Sequence, residues 1–282
     1  MNLNAEPITV AEGFEFCEGP AFAPDGSLWV VNLAGGYISK VNVDTGEKAV
    51  VARTQSPNGG QFHPNGHYIV CECKERAIIS VSPTGEITVL AEQCDGQPFN
   101  GPNDVTIAAD GSMYFTDPDG SDLDNRIGGM YLIKPDQTVV RVDLGLAYPN
   151  GLNLTATGKS VVLAETLTKQ LHRYDRNADG TLGPRQLYCQ LPDEGVGPDG
   201  MAFDCDGVLF ATHYGSACVR VVDPAGKHIG DLRLPGHNPT NCCFGPPGSK
   251  WERSLFVTET ETNTVYRFDV DTPGLPLPVK VG

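Results

Sequence analysis

Short runs alternating apolar with polar residues, broken by turn sequences, recur along this chain at intervals of about 40 to 50 residues, which is the mark of a repeat architecture. The copies read EGPAFAPDGSLWVVN from Glu18 to Asn32, NGGQFHPNGHYIVCE from Asn58 to Glu72 and NDVTIAADGSMYFTD from Asn103 to Asp117. Then come NGLNLTATGKSVVLAE from Asn150 to Glu165, DGMAFDCDGVLFATH from Asp199 to His213 and NCCFGPPGSKWERSLFVTE from Asn241 to Glu259. Within the copies, PDG at 24–26, PNG at 64–66, ADG at 109–111 and CDG at 205–207 supply the bent backbone of a hairpin. A third alternating run follows each hairpin (YISKVN, AIISVS, MYLIKP, LHRYDR, CVRVVD, TVYRFD). Five units add a fourth: KAVVAR, ITVLAE, TVVRVD, RQLYCQ and HIGDLR. The sixth lacks one, and the N-terminal run ITVAEG is free to supply it. This pattern predicts an all-β, six-bladed β-propeller of four-stranded antiparallel blades, closed by an N-terminal strand joining the last blade. No linker divides the units, so one domain over 1–282 is expected.

Composition narrows the function classes. A chain of 282 residues that is 40% apolar, with 33 Gly and 22 Pro, can bury a core. Its formal charge of −15, from 20 Lys plus Arg against 35 Asp plus Glu, repels nucleic acid and anionic membrane surfaces. There is no run of 18 apolar residues, and the start lacks a basic segment followed by an apolar stretch, so a cytoplasmic protein is expected. Nine cysteines, without CxxC spacing in the pairs Cys71/Cys73 and Cys242/Cys243, read as reduced core thiols, with Cys71 and Cys73 on one strand face. Nothing in the sequence marks an oligomeric interface.

The first strand of each blade lines the channel, so its opening residues converge at one mouth. Those residues are Glu18, Asn58, Asn103, Asn150, Asp199 and Asn241. The returning strands end in a second, outer set: Asn32, Glu72, Asp117, Glu165, His213 and Glu259. Strand ends are commonly polar, but neither Lys nor Arg occurs among these twelve, and an uncompensated acidic cluster is unfavourable. A divalent cation resolves this, with carboxylates from Glu18 and Asp199 and amide oxygens from Asn103 and Asn150. Such hard oxygen donors suit calcium, with manganese or magnesium next and zinc less favoured.

The motifs EGPAF, GPNDV, YPNGL, GPDGMAF, TNCCFG and LFVTETET, in this order and blade register, resemble the senescence-marker-protein/gluconolactonase/luciferin-regenerating-enzyme-like family over essentially the full chain. The resemblance implies a six-bladed propeller with one divalent metal at the mouth, bound by Glu18, Asn103, Asn150 and Asp199. It further implies metal-dependent hydrolysis of a small lactone, with Asp199 as general base. His213 is an independent candidate base, because imidazole titrates near neutrality. Asn103, Asp117 and Glu165 are candidates to orient substrate. Sugar-lactone members often carry an arginine shortly before the third-blade Asn, where this chain reads GQPFNGPND with Pro98. Arg126, in the insertion PDGSDLDNRIGG, is the candidate substitute. Two alternatives stand beside the lactonase: a non-catalytic ligand- or protein-binding propeller with a structural metal, and an organophosphate or aryl-ester hydrolase.

Overall fold

Gly26, Gly66, Gly111 and Gly207 close their hairpins with φ between 81° and 87°, so each repeat folds back on itself where the turn sequences place it. A computed structural model describes residues 3–275. It contains six four-stranded antiparallel sheets, five of them hydrogen-bonded in chain order from an inner to an outer strand. The inner strands are Cys17–Phe22, Pro57–Phe62, Val105–Ile107, Pro149–Leu154, Gly197–Phe203 and Pro239–Phe244. In the sixth blade the outer place is taken by Ile8–Glu12, which pairs antiparallel with Thr264–Asp269 from Ile8↔Arg267 to Glu12↔Thr264. The expected six-bladed β-propeller, with its N-terminal closing strand, is therefore the fold. Of the domain expected over 1–282, residues 1, 2 and 276–282 lie outside the described residues.

Burial explains why the alternation is clear in some strands and absent in others. Second strands such as Leu28–Asn32 and Tyr68–Glu72 are buried at every position, because a blade packs against a neighbour on both faces. Fourth strands such as Lys48–Arg53 are mostly exposed. The apolar core is divided among the blade interfaces. Between the first and second blades, Trp29 meets Phe62 and Tyr68 edge-on, with ring centroids 5.2 and 5.6 Å apart. Each such fully buried large side chain contributes roughly 1.5–3 kcal/mol of transfer free energy. All nine cysteines are free. Cys71, Cys242 and Cys243 are buried as expected, but Cys73 lies past its strand end and is half-buried, its thiol donating to the Pro102 carbonyl at 3.0 Å. Among the described residues there is no α-helix, and no helix long and apolar enough to cross a membrane.

Candidate functional site

Proline stands directly before the polar ring residue in four blades, as Pro57-Asn58, Pro102-Asn103, Pro149-Asn150 and Pro198-Asp199. It has no N–H to leave unpaired at the strand start. Just beyond, the pairing slips in a bulge between Pro57 and Gly60, Pro149 and Leu152, and Pro198 and Met201, and likewise between Glu18 and Ala21 in the first blade. Bulges re-aim side chains, and here they accompany the polar ring. Glu18, Asn58, Asn103, Asn150 and Asp199 are all buried at the mouth.

The sixth blade departs from the repeat read in the sequence. The last pairs of the hairpins are Phe22↔Leu28, Phe62↔Tyr68, Ile107↔Met113, Leu154↔Val161, Phe203↔Leu209 and Phe244↔Leu255. Counting back equally from these ends reaches Glu18, Asn58, Asn103, Asn150 and Asp199, but in the sixth blade it reaches Thr240 instead of Asn241. Thr240 Oγ1 donates to the Cys17 carbonyl at 2.9 Å and ties the last blade to the first. Asn241 stands one place further in, beside Asp104, where the other four blades carry Gly19, Gly59, Gly151 and Gly200. A Cβ on Gly59 would lie 2.1 Å from Asp104 Oδ1, and one on Gly200 would lie 2.0 Å from Asn241 Cγ. Glycine is required at both places because the two polar side chains lie across it.

Asp104 and Asn241 thus form a floor beneath the ring. Asn241 Nδ2 donates to Glu18 Oε2 at 2.9 Å and to Asp104 Oδ2 at 3.2 Å, while its Oδ1 accepts from the Cys242 amide at 2.8 Å. Asp104 Oδ1 accepts from the Val105 amide at 2.8 Å. Beyond this floor, on the far side of the axis, lies a cavity of about 310 Å³ reaching Ile107, Leu154, Phe203 and Phe244. The titratable groups converge on the mouth side.

Three carboxylates share this enclosure. Burial pushes Glu18, Asp104 and Asp199 above the ordinary carboxylate range; the charge of Asp104 adds to the rise at Glu18, and the charges of Glu18 and Asp104 add to that at Asp199. The Gly200 amide and the Asn150 carboxamide donate to Asp199 and offset part of it. Asn150 Oδ1, in contrast, is buried with no hydrogen-bond partner. Among the described residues no group of three or more His, Cys, Asp or Glu side chains is arranged to hold a metal by itself. The donor set is a mixed one of carboxylates and carboxamides. A sealed, unpartnered carboxamide oxygen beside crowded carboxylates fits a hard divalent cation and offers little to zinc.

The outer set does different work. Five of its six members accept hydrogen bonds from the loop leading into their own blade. Asn32 Oδ1 accepts from Glu15 N at 3.0 Å, Glu72 Oε1 from Ser56 N at 2.7 Å and Glu259 Oε1 from Asn238 N at 2.8 Å. Asp117, a candidate to orient substrate, uses both oxygens on the amides of Asn100 (2.8 Å) and Gly101 (2.7 Å). Glu165, the other, accepts from Ala147 N at 2.7 Å and faces His172 Nε2 at 2.8 Å. Burial works to raise Glu165, but bonds from His172, Ala147 and Thr168 outweigh it and hold its carboxyl at about 2. His213 is fully buried, and its Nε2 lies 2.7 Å from the Glu194 carbonyl. A carbonyl only accepts, so Nε2 carries the proton and Nδ1 faces the Arg220 Nε donor at 3.4 Å. Burial, partly offset by the Glu194 bond, lowers His213 to about 4. Asp117, Glu165 and His213 therefore use their hydrogen bonds on loop amides, a loop carbonyl and His172. Arg126 also faces this outer layer: its Nη1 is 3.6 Å from Glu165 Oε1 and its Nε donates to the Leu123 carbonyl at 3.4 Å.

With this geometry in view, comparison with known proteins is specific. A family model described as SMP-30/Gluconolactonase/LRE-like region matches residues 16–258. The chain belongs to that family. Among relatives, it is 26% identical over 295 residues to the diisopropyl-fluorophosphatase of Loligo vulgaris, covering 94% of this chain and 92% of that one. It is 28% identical over 290 residues to the gluconolactonase of Zymomonas mobilis, covering 92% and 80%. The solved structure of a calcium-binding protein, regucalcin, from Agrobacterium tumefaciens superposes with a TM-score of 0.85 at 19% identity, covering 98% and 97%, which shows a common fold. Within the family fold, the residue that repeat counting missed is Asp104, and the one it placed a register out is Asn241. Their signal was present: two polar residues at a register where four other units hold glycine.

Proposed function

We propose that this chain is a hydrolase that opens a small lactone with one divalent cation, calcium foremost, held by Glu18, Asn103, Asn150 and Asp199. The observation that carries this reading is the buried, unpartnered Asn150 Oδ1 among three carboxylates that receive no Lys or Arg donor. A buried acceptor left unmet is destabilising by about 1–3 kcal/mol, and a dication removes that penalty together with the mutual repulsion of the acids. When bound, the cation supplies Lewis-acid polarisation of an ester carbonyl.

The side chains of the protein perform the remaining tasks. Asp199 serves as general base, its carboxylate taking the proton of the attacking water while the Gly200 amide and Asn150 carboxamide hold it in place. Asn241 clamps Glu18 and Asp104 through one carboxamide, so neither can swing across the mouth. The Asn103 side chain makes no hydrogen bond among the described residues, and its carboxamide is available to substrate as well as to the cation. The relatives named gluconolactonase and lactonase support ester opening. The relative named diisopropyl-fluorophosphatase supports a second reading, in which the same polarised oxygen belongs to a phosphoryl group.

The test is acid release from a panel of aldono- and alkyl-lactones, beside a phosphorofluoridate, with calcium, manganese or zinc and then with EDTA. Lactone turnover that EDTA abolishes and calcium restores is expected. Turnover undiminished by chelation overturns the proposal, and cleavage of the phosphorofluoridate alone favours the second reading. Asn150→Ala is expected to lose at least about 100-fold in kcat/KM, about 2.7 kcal/mol, together with calcium retained on a desalting column.

A further inference from the structure

The pairing within each blade is interrupted where a proposed cation ligand stands. Bulges fall between Glu18 and Ala21, Pro149 and Leu152, and Pro198 and Met201, and in the third blade the inner strand Val105–Ile107 begins only after Asn103. The ladder that orders the rest of a blade is broken at Glu18, Asn103, Asn150 and Asp199, so the main chain there needs other support.

The preceding blade supplies it, with one side-chain donor for each ligand. Thr240 Oγ1 donates to the Cys17 carbonyl at 2.9 Å, Cys73 Sγ to the Pro102 carbonyl at 3.0 Å and Thr166 Oγ1 to the Pro198 carbonyl at 2.7 Å. Each of these acceptors lies directly ahead of a ligand. For the fourth ligand, Thr116 Oγ1 donates to the carbonyl of Asn150 itself at 2.8 Å. The donors come from the sixth, second, fourth and third blades and the acceptors from the first, third, fifth and fourth. A carbonyl lies in one rigid plane with the Cα atoms on either side of it, so a bond to it fixes the plane from which the ligand's side chain departs. Thr116, Thr166 and Thr240 are all buried, where no water competes for these carbonyls.

The fifth place in the ring register shows that this is not a general habit of the fold. Asn58 is outside the ligand set, and among the described residues no side chain donates to the Pro57 or Asn58 carbonyl. Cys73 and Thr166 follow the last residue of their second hairpin strands, and Thr116 precedes it; in the first blade Leu33 and Val31 fill those places and have nothing to donate. In the sixth blade, Thr212 Oγ1 donates to the Thr240 carbonyl at 2.7 Å and so backs the bond from Thr240 to Cys17. The donors thus fall on the four ligands and pass over Asn58.

We propose that Cys73, Thr116, Thr166 and Thr240 are positioning residues of the cation site, each setting one ligand from the neighbouring blade. This rests on the cation reading above.

The experiment measures calcium affinity by titration calorimetry, which needs no turnover. Thr166→Val keeps the shape of the side chain and removes the donor, and is expected to weaken calcium binding about tenfold, whereas Thr166→Ser keeps the hydroxyl and is expected to stay within about twofold of unmodified protein. Thr106→Val is the control: its hydroxyl is equally buried but donates to Asn153 Oδ1 at 3.3 Å and touches no ligand. It is expected to bind calcium as unmodified protein does. If Thr166→Val does not fold, the half-buried Cys73 provides the same comparison, with Cys73→Ala losing affinity and Cys73→Ser keeping it. Unchanged affinity without the donor, an equal loss in Thr106→Val, or a loss that serine does not restore each overturns the assignment alone. Failure of the unmodified protein to bind calcium overturns the cation reading, and the positioning role with it.

Discussion

Gly59 and Gly200 show how much of the site depends on atoms that are absent. Each glycine makes room for a polar side chain from the next blade, so an added methyl group must displace Asp104 or Asn241. Gly59→Ala is expected to lower calcium affinity at least tenfold, about 1.4 kcal/mol, by moving Asp104 and with it the Asn241 bridge to Glu18. Titration calorimetry with calcium on the folded variant measures this, and unchanged affinity would show that the floor does not position the ring. The inner-ring residues Glu18, Asn103, Asn150 and Asp199 were legible in the sequence because they share a register in which no Lys or Arg occurs. Asp104 was not, since in the repeat it reads as the residue after Asn103, and only the folded ring turns that place inward. Asn241 was counted one place out, because the long turn GPPGSKWER between its two strands hid the slip.

At the scale of strands and loops, the second hairpin strands end in latches. Five of the six blades use a side-chain oxygen to accept the amides of the loop leading into the inner strand, and the fifth blade uses His213 as donor to the Glu194 carbonyl. Alternation along the strands announced polar ends here, yet could not say whether they faced ligand or loop, since either partner satisfies a buried oxygen. The histidine latch gives stability a pH dependence whose sign follows from its depressed value. With about 4 in the folded chain against about 6.5 unfolded, the unfolded chain binds more protons between these limits. The contribution is complete above about 6.5 and declines as pH falls toward about 4, by at most roughly 3 kcal/mol. Thermal melts should show unmodified protein losing stability more steeply across that window than His213→Gln. Parallel curves would mean that the imidazole charges without disturbing the latch.

The ring as a whole concentrates acid at its axis. Glu18, Asp104 and Asp199 are held above their unfolded values, so without a cation the folded chain binds more protons than the unfolded one as pH rises past the ordinary carboxylate range. Metal-free protein is therefore expected to be most stable in mild acid and to weaken from about pH 5 toward about pH 8, while calcium removes the slope. Melting curves with EDTA or calcium across that range check this, and coincident curves would argue against a cation at the axis. The architecture was readable from turn chemistry and strand count because every blade repeats the same local rules. The bond between Asn241 and Glu18 spans 223 positions along the chain, and the strand that closes the ring comes from the N-terminus. During synthesis, then, the ribosome must release nearly all of residues 8–267 before this ring can close, so a nascent or truncated product lacks the assembled pocket.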